Sequence, residues 1–255
     1  MQKLSRSALF SLVASFLLAI LLPCGAPLYA QTVVASTSLT GALAKAAGAS
    51  EVRILTPADV KHPPEYELRP SDLAKLDGAN VVVYAGYERM VGKLVDTANR
   101  KSLLAVRVDT ATSPDNLVVQ ARKIAAALHT EKEEQVWEKG FLEKLRTLKE
   151  GLAPYSGKRA VVHLQAQALA RWAGLSVVQV IMPGEISAKA VADAVAKQPD
   201  IVIDILHMPV AQVIADNAHC PYAQLINFPG IEKTMTLEDV FEYDAGQIVR
   251  AFQQK

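Results

Sequence analysis

Short β-branched runs recur along this chain at intervals that leave room for one helix each. The pattern occurs twice, on either side of one long charged segment. Thr32–Ala35, Glu51–Leu55, Asn80–Ala85 (NVVVYA) and Leu103–Val108 read as strands in the first half. Arg159–Val162, Leu175–Ile181, Ile201–Ile205 (IVIDI) and Ala223–Asn227 read as strands in the second. Runs such as NVVVYA and IVIDI are apolar throughout, which suits strands of a parallel sheet covered on both faces. Helical segments fall between them: Ser38–Ala47, Asp72–Leu76 with Ser71 as its cap, Glu88–Ala98, Leu117–Leu128, Ala166–Ala173, Ser187–Lys197, Val210–Ala215 and Thr236–Phe252. Alternating strand and helix predicts α/β architecture.

The interruption is Glu131–Leu152. Val136, Phe141, Leu142, Leu145 and Leu148 stand there among many Lys and Glu, as in a single amphipathic helix. The predicted fold is therefore two α/β lobes with central parallel sheets, about four βα units each, joined by a rigid spine helix over a ligand cleft. The predicted boundaries are an N-terminal lobe over 31–130, the spine over 131–153 and a C-terminal lobe over 154–255. Ligands of such sheets sit beyond the carboxyl ends of the strands.

Residues 1–30 read differently. Lys3 and Arg6 precede an apolar run from Ala8 to Leu22, Pro23 breaks it, and Leu28-Tyr29-Ala30 offers a small residue for cleavage. This is the pattern of a secretory signal peptide; the run is short for a membrane anchor. Pro23 beside Cys24 fits a lipidation signal poorly. The pattern implies export from the cytoplasm.

Removing Lys3 and Arg6 takes the basic count from 27 to 25 against 26 acidic residues, and aromatics are only 6% of the chain. A nucleic-acid partner normally demands a basic excess and stacking rings, and is excluded on this balance. Past the leader Cys220 is the only cysteine, so no internal disulfide can form, and the residue reads as a small hydrophobe.

No GxGxxG, P-loop, GxSxG or HExxH motif occurs. The informative groups sit at strand ends: His62 in the Pro-rich loop after the second strand, Asp109 after the fourth, His163 after Arg159–Val162, and His207 after Ile201–Ile205. Each has a plainer reading as a hydrogen-bonded residue, and Asp109, followed by Thr110, Thr112 and Ser113, as a turn cap. His129 reads as a helix C-terminal residue. Imidazole and carboxylate together suit Zn²⁺ or Mn²⁺, with a further acid needed for charge balance from Glu65, Glu185 or Glu238.

VVASTSLTGALAKAAG (33–48), HPPEYELRPSDLAKLDGANVVVYAGYE (62–88), PDNLVVQARKIAAAL (114–128) and GKRAVVHLQAQALARWAGL (157–175) together resemble the zinc/manganese substrate-binding proteins of bacterial ABC importers, the ZnuA/TroA-like group, over almost the whole chain past residue 30. The resemblance implies a spine helix between two α/β lobes, a divalent metal, Zn²⁺ or Mn²⁺, held as cargo, a periplasmic location, no enzymatic activity and a membrane permease as partner; a monomer is the default expectation. The family's ligands transfer unevenly. Matching through Glu65, Tyr66, Pro70, Ser71 and Asp72 puts Pro64 where the first histidine belongs, with His62 two residues earlier. Asp109 stands at the second position and His163 at the third. The fourth, an aspartate, falls near Met235, and the family's acidic histidine-rich loop is missing.

The resemblance thus implies His62, Asp109 and His163 as metal ligands, and His207 is added from its strand-end position as a replacement for the lost aspartate. The alternatives are the same fold holding a metal chelate or small organic molecule, a metal-independent adhesive or regulatory protein, and a metal-dependent hydrolase with Glu65 as base.

Overall fold

The computed structural model describes residues 32–57, 60 and 65–254. The expected signal peptide lies outside them. In the first half, β1 (Thr32–Ala35), α1 (Ser38–Ala46), β2 (Glu51–Ile54), α2 (Pro70–Ala74), β3 (Val81–Tyr84), α3 (Val91–Arg100) and β4 (Leu104–Arg107) follow one another. α4 (Pro114–Leu128) and α5 (Glu131–Leu152) come next. The second half runs β5 (Arg159–His163), α6 (Gln167–Trp172), β6 (Ser176–Ile181), α7 (Ala188–Val195), β7 (Ile201–Ile205), α8 (Gln212–Ala218), β8 (Tyr222–Leu225) and α9 (Leu237–Gln253).

Each half holds one four-stranded sheet, parallel throughout, in the orders β2-β1-β3-β4 and β6-β5-β7-β8. The two-lobe α/β architecture expected from the sequence is the one observed. Both sheets change winding direction between their two central strands. A crevice opens there beyond the strand ends, so each half offers one such switch point.

The central strands are buried because their neighbours cover both faces. β1 and β7 are buried along their whole length, Asp204 in β7 included. α1 packs nearly all its residues inside and starts on a capping box. Thr37 Oγ1 accepts from the Thr40 N–H at 3.3 Å, and Thr40 Oγ1 from the Thr37 N–H at 2.9 Å. Caps of this kind are worth about 1 kcal/mol. Thr236 and Asp239 form the same box at the start of α9.

α5 spans 22 residues, as the sequence predicts, and joins the halves through the core. Phe141 is fully buried, stacked on Trp137 at 4.8 Å and edge-on to Phe241 of α9 at 5.6 Å. Trp172 of α6 meets Phe241 from another side at 5.0 Å. One apolar core therefore continues from Val33 and Leu43 through Phe141 to Val162 and Ile203. Val136 and Leu142, expected on the apolar stripe, are exposed, and Glu134 is buried instead.

Several element ends differ from expectation for local reasons. α2 starts at Pro70, and Ser71 lies inside it. The Asp72 carboxylate does the capping, accepting from the Arg69 N–H at 3.0 Å and the Tyr66 hydroxyl at 2.8 Å. α3 starts at Val91 because Glu88 bends back onto the loop before it. α8 starts at Gln212, and the Asp204 carboxylate accepts from the free N–H groups of Val210 and Ala211 just before it. β5 extends one residue further and ends on His163. β8 stops at Leu225, which leaves Asn227 outside the sheet. His129 ends α4 in a left-handed conformation, as its terminal position suggested. Cys220 is half-buried against a small apolar cluster behind β7.

Candidate functional site

Every segment that leaves the carboxyl end of β1, β2, β4, β5 or β8 contributes to one cavity of about 350 Å³ between the sheets. Thr37, Ser38 and Leu39 follow β1, Thr56 and Pro57 follow β2, and Thr110, Ala111 and Thr112 follow β4. Tyr87 enters from the loop after β3. The other wall is Leu164, Gln165, Gln167 and Ala168 after β5, with Asn227 and Phe228 after β8. Among the described residues, the polar side chains in this lining are hydroxyls and amides, and none is charged.

Three of these residues carry buried polar atoms with no hydrogen-bond partner among the described residues: Thr56 Oγ1, Gln165 Oε1 and Asn227 Oδ1. Thr56 is only 1% exposed. Buried polar atoms are normally satisfied, and leaving one unpaired costs about 1–3 kcal/mol. These atoms expose almost no surface, so they lie behind the cavity wall, and a solute or ordered water meets them only when their side chains turn.

Two carboxylates fix the walls without lining them. Glu88 is buried, and its oxygens accept from the Ser36 hydroxyl at 2.5 Å, the Ala85 N–H at 3.2 Å and the Gly86 N–H at 2.7 Å. This ties the loop carrying Tyr87 to the end of β1. Gly86 is required there: its φ is +99°, and a Cβ would come within 2.5 Å of Arg107 Nε. In the other half, Asp204 accepts from the N–H groups of Ile205, Val210 and Ala211 and from the Tyr222 hydroxyl, between 2.6 and 2.9 Å. It shapes the turn that carries His207. The Tyr222 phenol is pushed up by its own burial and by Asp204.

His163 is fully buried at the end of β5, immediately before two cavity residues. Its Nδ1 accepts the Gln165 N–H at 3.2 Å, and its Nε2 has no partner among the described residues. Burial holds its pKa below the usual histidine value, against an opposing pull from Asp204. The ring is therefore neutral, and with Nδ1 accepting, its one proton sits on Nε2.

The residues singled out from the sequence do not meet. His62 lies outside the described residues. Asp109 is exposed and turns its carboxylate back to the Ala111 N–H at 2.9 Å, the turn-capping arrangement that its neighbours suggested. His207 is half-buried, its ring 5.1 Å from Phe228. Among the described residues no three His, Cys, Asp or Glu side chains gather to hold a metal, so Asp109, His163 and His207 do not form a ligand set by themselves. Met235, near the position of the family's aspartate, is exposed and lines an apolar annex of about 280 Å³ that shares Ser38 and Pro57 with the main cavity. The residues that do line the cavity were passed over because neutral hydroxyls and amides carry no ligand signature. The signal that could have found them is the one that picked out His163, a place directly after a strand.

Residues 33–200 match the family described as zinc-uptake complex component A, periplasmic. The chain belongs to that family. Two solved structures show the fold that this zinc-uptake family member shares. The binding protein FpvC of Pseudomonas aeruginosa, in complex with Mn²⁺, superposes with a TM-score of 0.69 at 16% identity, over 89% of this chain and 99% of its own. A cadmium-bound periplasmic metal-binding protein of Candidatus Liberibacter asiaticus gives 0.66 at 15% identity, over 87% and 99%. No match was found among curated proteins. This zinc-uptake family member has the two-lobe frame, a histidine at the end of β5 and, among the described residues, a cavity lined by neutral groups.

Proposed function

We propose that this protein is the extracytoplasmic binding component of a metal-acquisition ABC importer. It captures its cargo, Zn²⁺ or Mn²⁺ or a compound carrying such an ion, between lobes 31–130 and 154–255. It then presents the loaded form to a permease in the membrane. Residues 1–30 serve as the export signal, the protein works in the periplasm as a monomer, and it makes or breaks no bond.

The observation that carries this reading is the cavity walled by strand-end segments of both sheets. A site built from two lobes can report occupancy to a partner that touches both, because filling it favours the arrangement in which the walls meet. The continuous core through Phe141 and Phe241 supports a small hinge motion over a wide one.

Titration calorimetry of chelator-stripped protein with Zn²⁺ and Mn²⁺, and with the same ions in organic complexes, tests the reading. One-to-one binding of any of these, and metal uptake lost on deletion of the gene, is the expected result. A folded protein that takes none of them would rule it out. The specific observation that favours the complexed cargo is the uncharged lining.

A further inference from the structure

We propose that the cavity is built for an uncharged, oxygen-bearing solute, recognised by hydrogen bonds, and not for a bare divalent cation. The proposal rests on the importer reading for the two-lobe carrier and replaces its bare-ion cargo with one chemistry from two sources: a metal ion already wrapped in organic ligands, or a metal-free polar organic molecule, which would keep the carrier and set aside the metal.

Charge is the first argument. A bare dication leaving water must meet formal negative charge or several strong oxygen donors in close array. Among the described residues no lining residue carries charge, and the nearby carboxylates of Glu88 and Asp204 are already occupied by three and four donors. α1 adds a field of the wrong sign. Thr37, Ser38 and Leu39, its cap and first residues, line the cavity, so the positive end of the helix faces it. First-turn N–H groups lack intrahelical acceptors and favour oxygen.

The state of His163 is the second argument. A histidine that ligates through one nitrogen normally donates its other N–H to an acceptor. Here Nδ1 faces a donor, the Gln165 N–H, which places the proton on Nε2. Neither nitrogen then offers a free lone pair, and Nε2 is left as a donor.

Size and inventory are the third. About 350 Å³ is room for roughly ten waters at ~30 Å³ each, far beyond one ion. It falls in the range of small-molecule sites. Thr56 can give or accept a hydrogen bond, and the amides of Gln165 and Asn227 can do both, so a solute with hydroxyl, carbonyl or amide groups pairs with these lining residues once their side chains turn toward it. Phe228, Leu164 and the annex beside Met235 give apolar surface for its carbon skeleton.

The experiment is calorimetry and thermal shift on the purified, chelator-stripped protein. The probes are ZnCl₂, MnCl₂, metal-free myo-inositol and N-acetylglucosamine, neutral bis(histidinato)zinc, and histidine alone. The expected result is binding of a polyol, an N-acetyl sugar or the neutral zinc complex, weakened tenfold or more by Thr56→Val and by Asn227→Leu, with the chlorides bound more weakly than the complex. The two sources separate cleanly: a metal-free sugar or polyol binding identifies one, and the complex binding without its free ligand identifies the other. Gln165→Met serves if either first variant unfolds. Tight one-to-one binding of ZnCl₂ or MnCl₂ unaltered in those variants would overturn the proposal and leave the importer reading standing. Binding of no probe by folded protein would count against both.

Discussion

The backbone N–H of Gln165 donates to Nδ1 of His163 across 3.2 Å, and that bond decides what the imidazole can do. It holds the ring as the Nε2–H form in a site where burial already opposes its protonation. A residue whose sequence position suggests a metal ligand is thereby set up as a hydrogen-bond donor.

Nitrogen-15 NMR of the histidine rings checks this directly. His163 should show a protonated Nε2 and an unprotonated Nδ1 at neutral pH, unchanged on adding one equivalent of Zn²⁺. A signal for metal-bound Nε2 with the proton moved to Nδ1 would show that the Gln165 bond yields to metal.

Glu88 should matter to stability more than its distance from the core suggests. It accepts from Ser36, Ala85 and Gly86, and Glu88→Ala strands all three donors, two of them on the buried residues Ser36 and Ala85. Leaving a buried donor unsatisfied costs about 1–3 kcal/mol, and solvent reaches part of this loop, so a total loss of about 3 kcal/mol in urea unfolding is expected. Glu88→Gln should lose less, because its amide oxygen can still accept.

Asp244 predicts a pH dependence. It is buried in α9, one oxygen accepting from the Ile226 N–H at 2.8 Å and the other without a partner among the described residues. Burial raises its pKa well above the ordinary carboxylate value. The folded state thus holds this proton longer than the unfolded chain. Its contribution to stability is whole below about pH 3.8 and is lost as pH rises toward the folded pKa, at up to about 1.4 kcal/mol per unit. Asp244→Asn keeps the acceptor for Ile226 and has no proton to lose. Thermal melts from pH 4 to pH 8 should show its advantage over the wild type growing with pH.

Phe141 is the joint between the halves. Phe141→Ala removes the ring that touches both Trp137 and Phe241, and the cavity left in the core should cost about 3–5 kcal/mol. Because the core is continuous, unfolding should stay a single transition with a lower midpoint. Two separated transitions would show that the halves fold independently.

Much of this architecture was legible in the chain itself. The apolar runs of β1, β3, β5 and β7, and the helical periods between them, set two parallel sheets, because a strand without a polar face must be covered on both sides. Glu131–Leu152 set the long helix with its ends correct. What the sequence left open was which strand-end side chains meet, since that depends on turns whose geometry is fixed by distant partners. Glu88 looks like a helix residue until Ser36 is beside it, and Val210 looks helical until Asp204 takes its N–H. His163 and Asp109 look alike as ligands until one backbone amide is found on an imidazole and another on a carboxylate. Residue type and period determined the frame. Only the three-dimensional placement of donors and acceptors decided the chemistry of the cavity, because hydrogen bonding acts over ångströms between groups that the chain brings together only on folding.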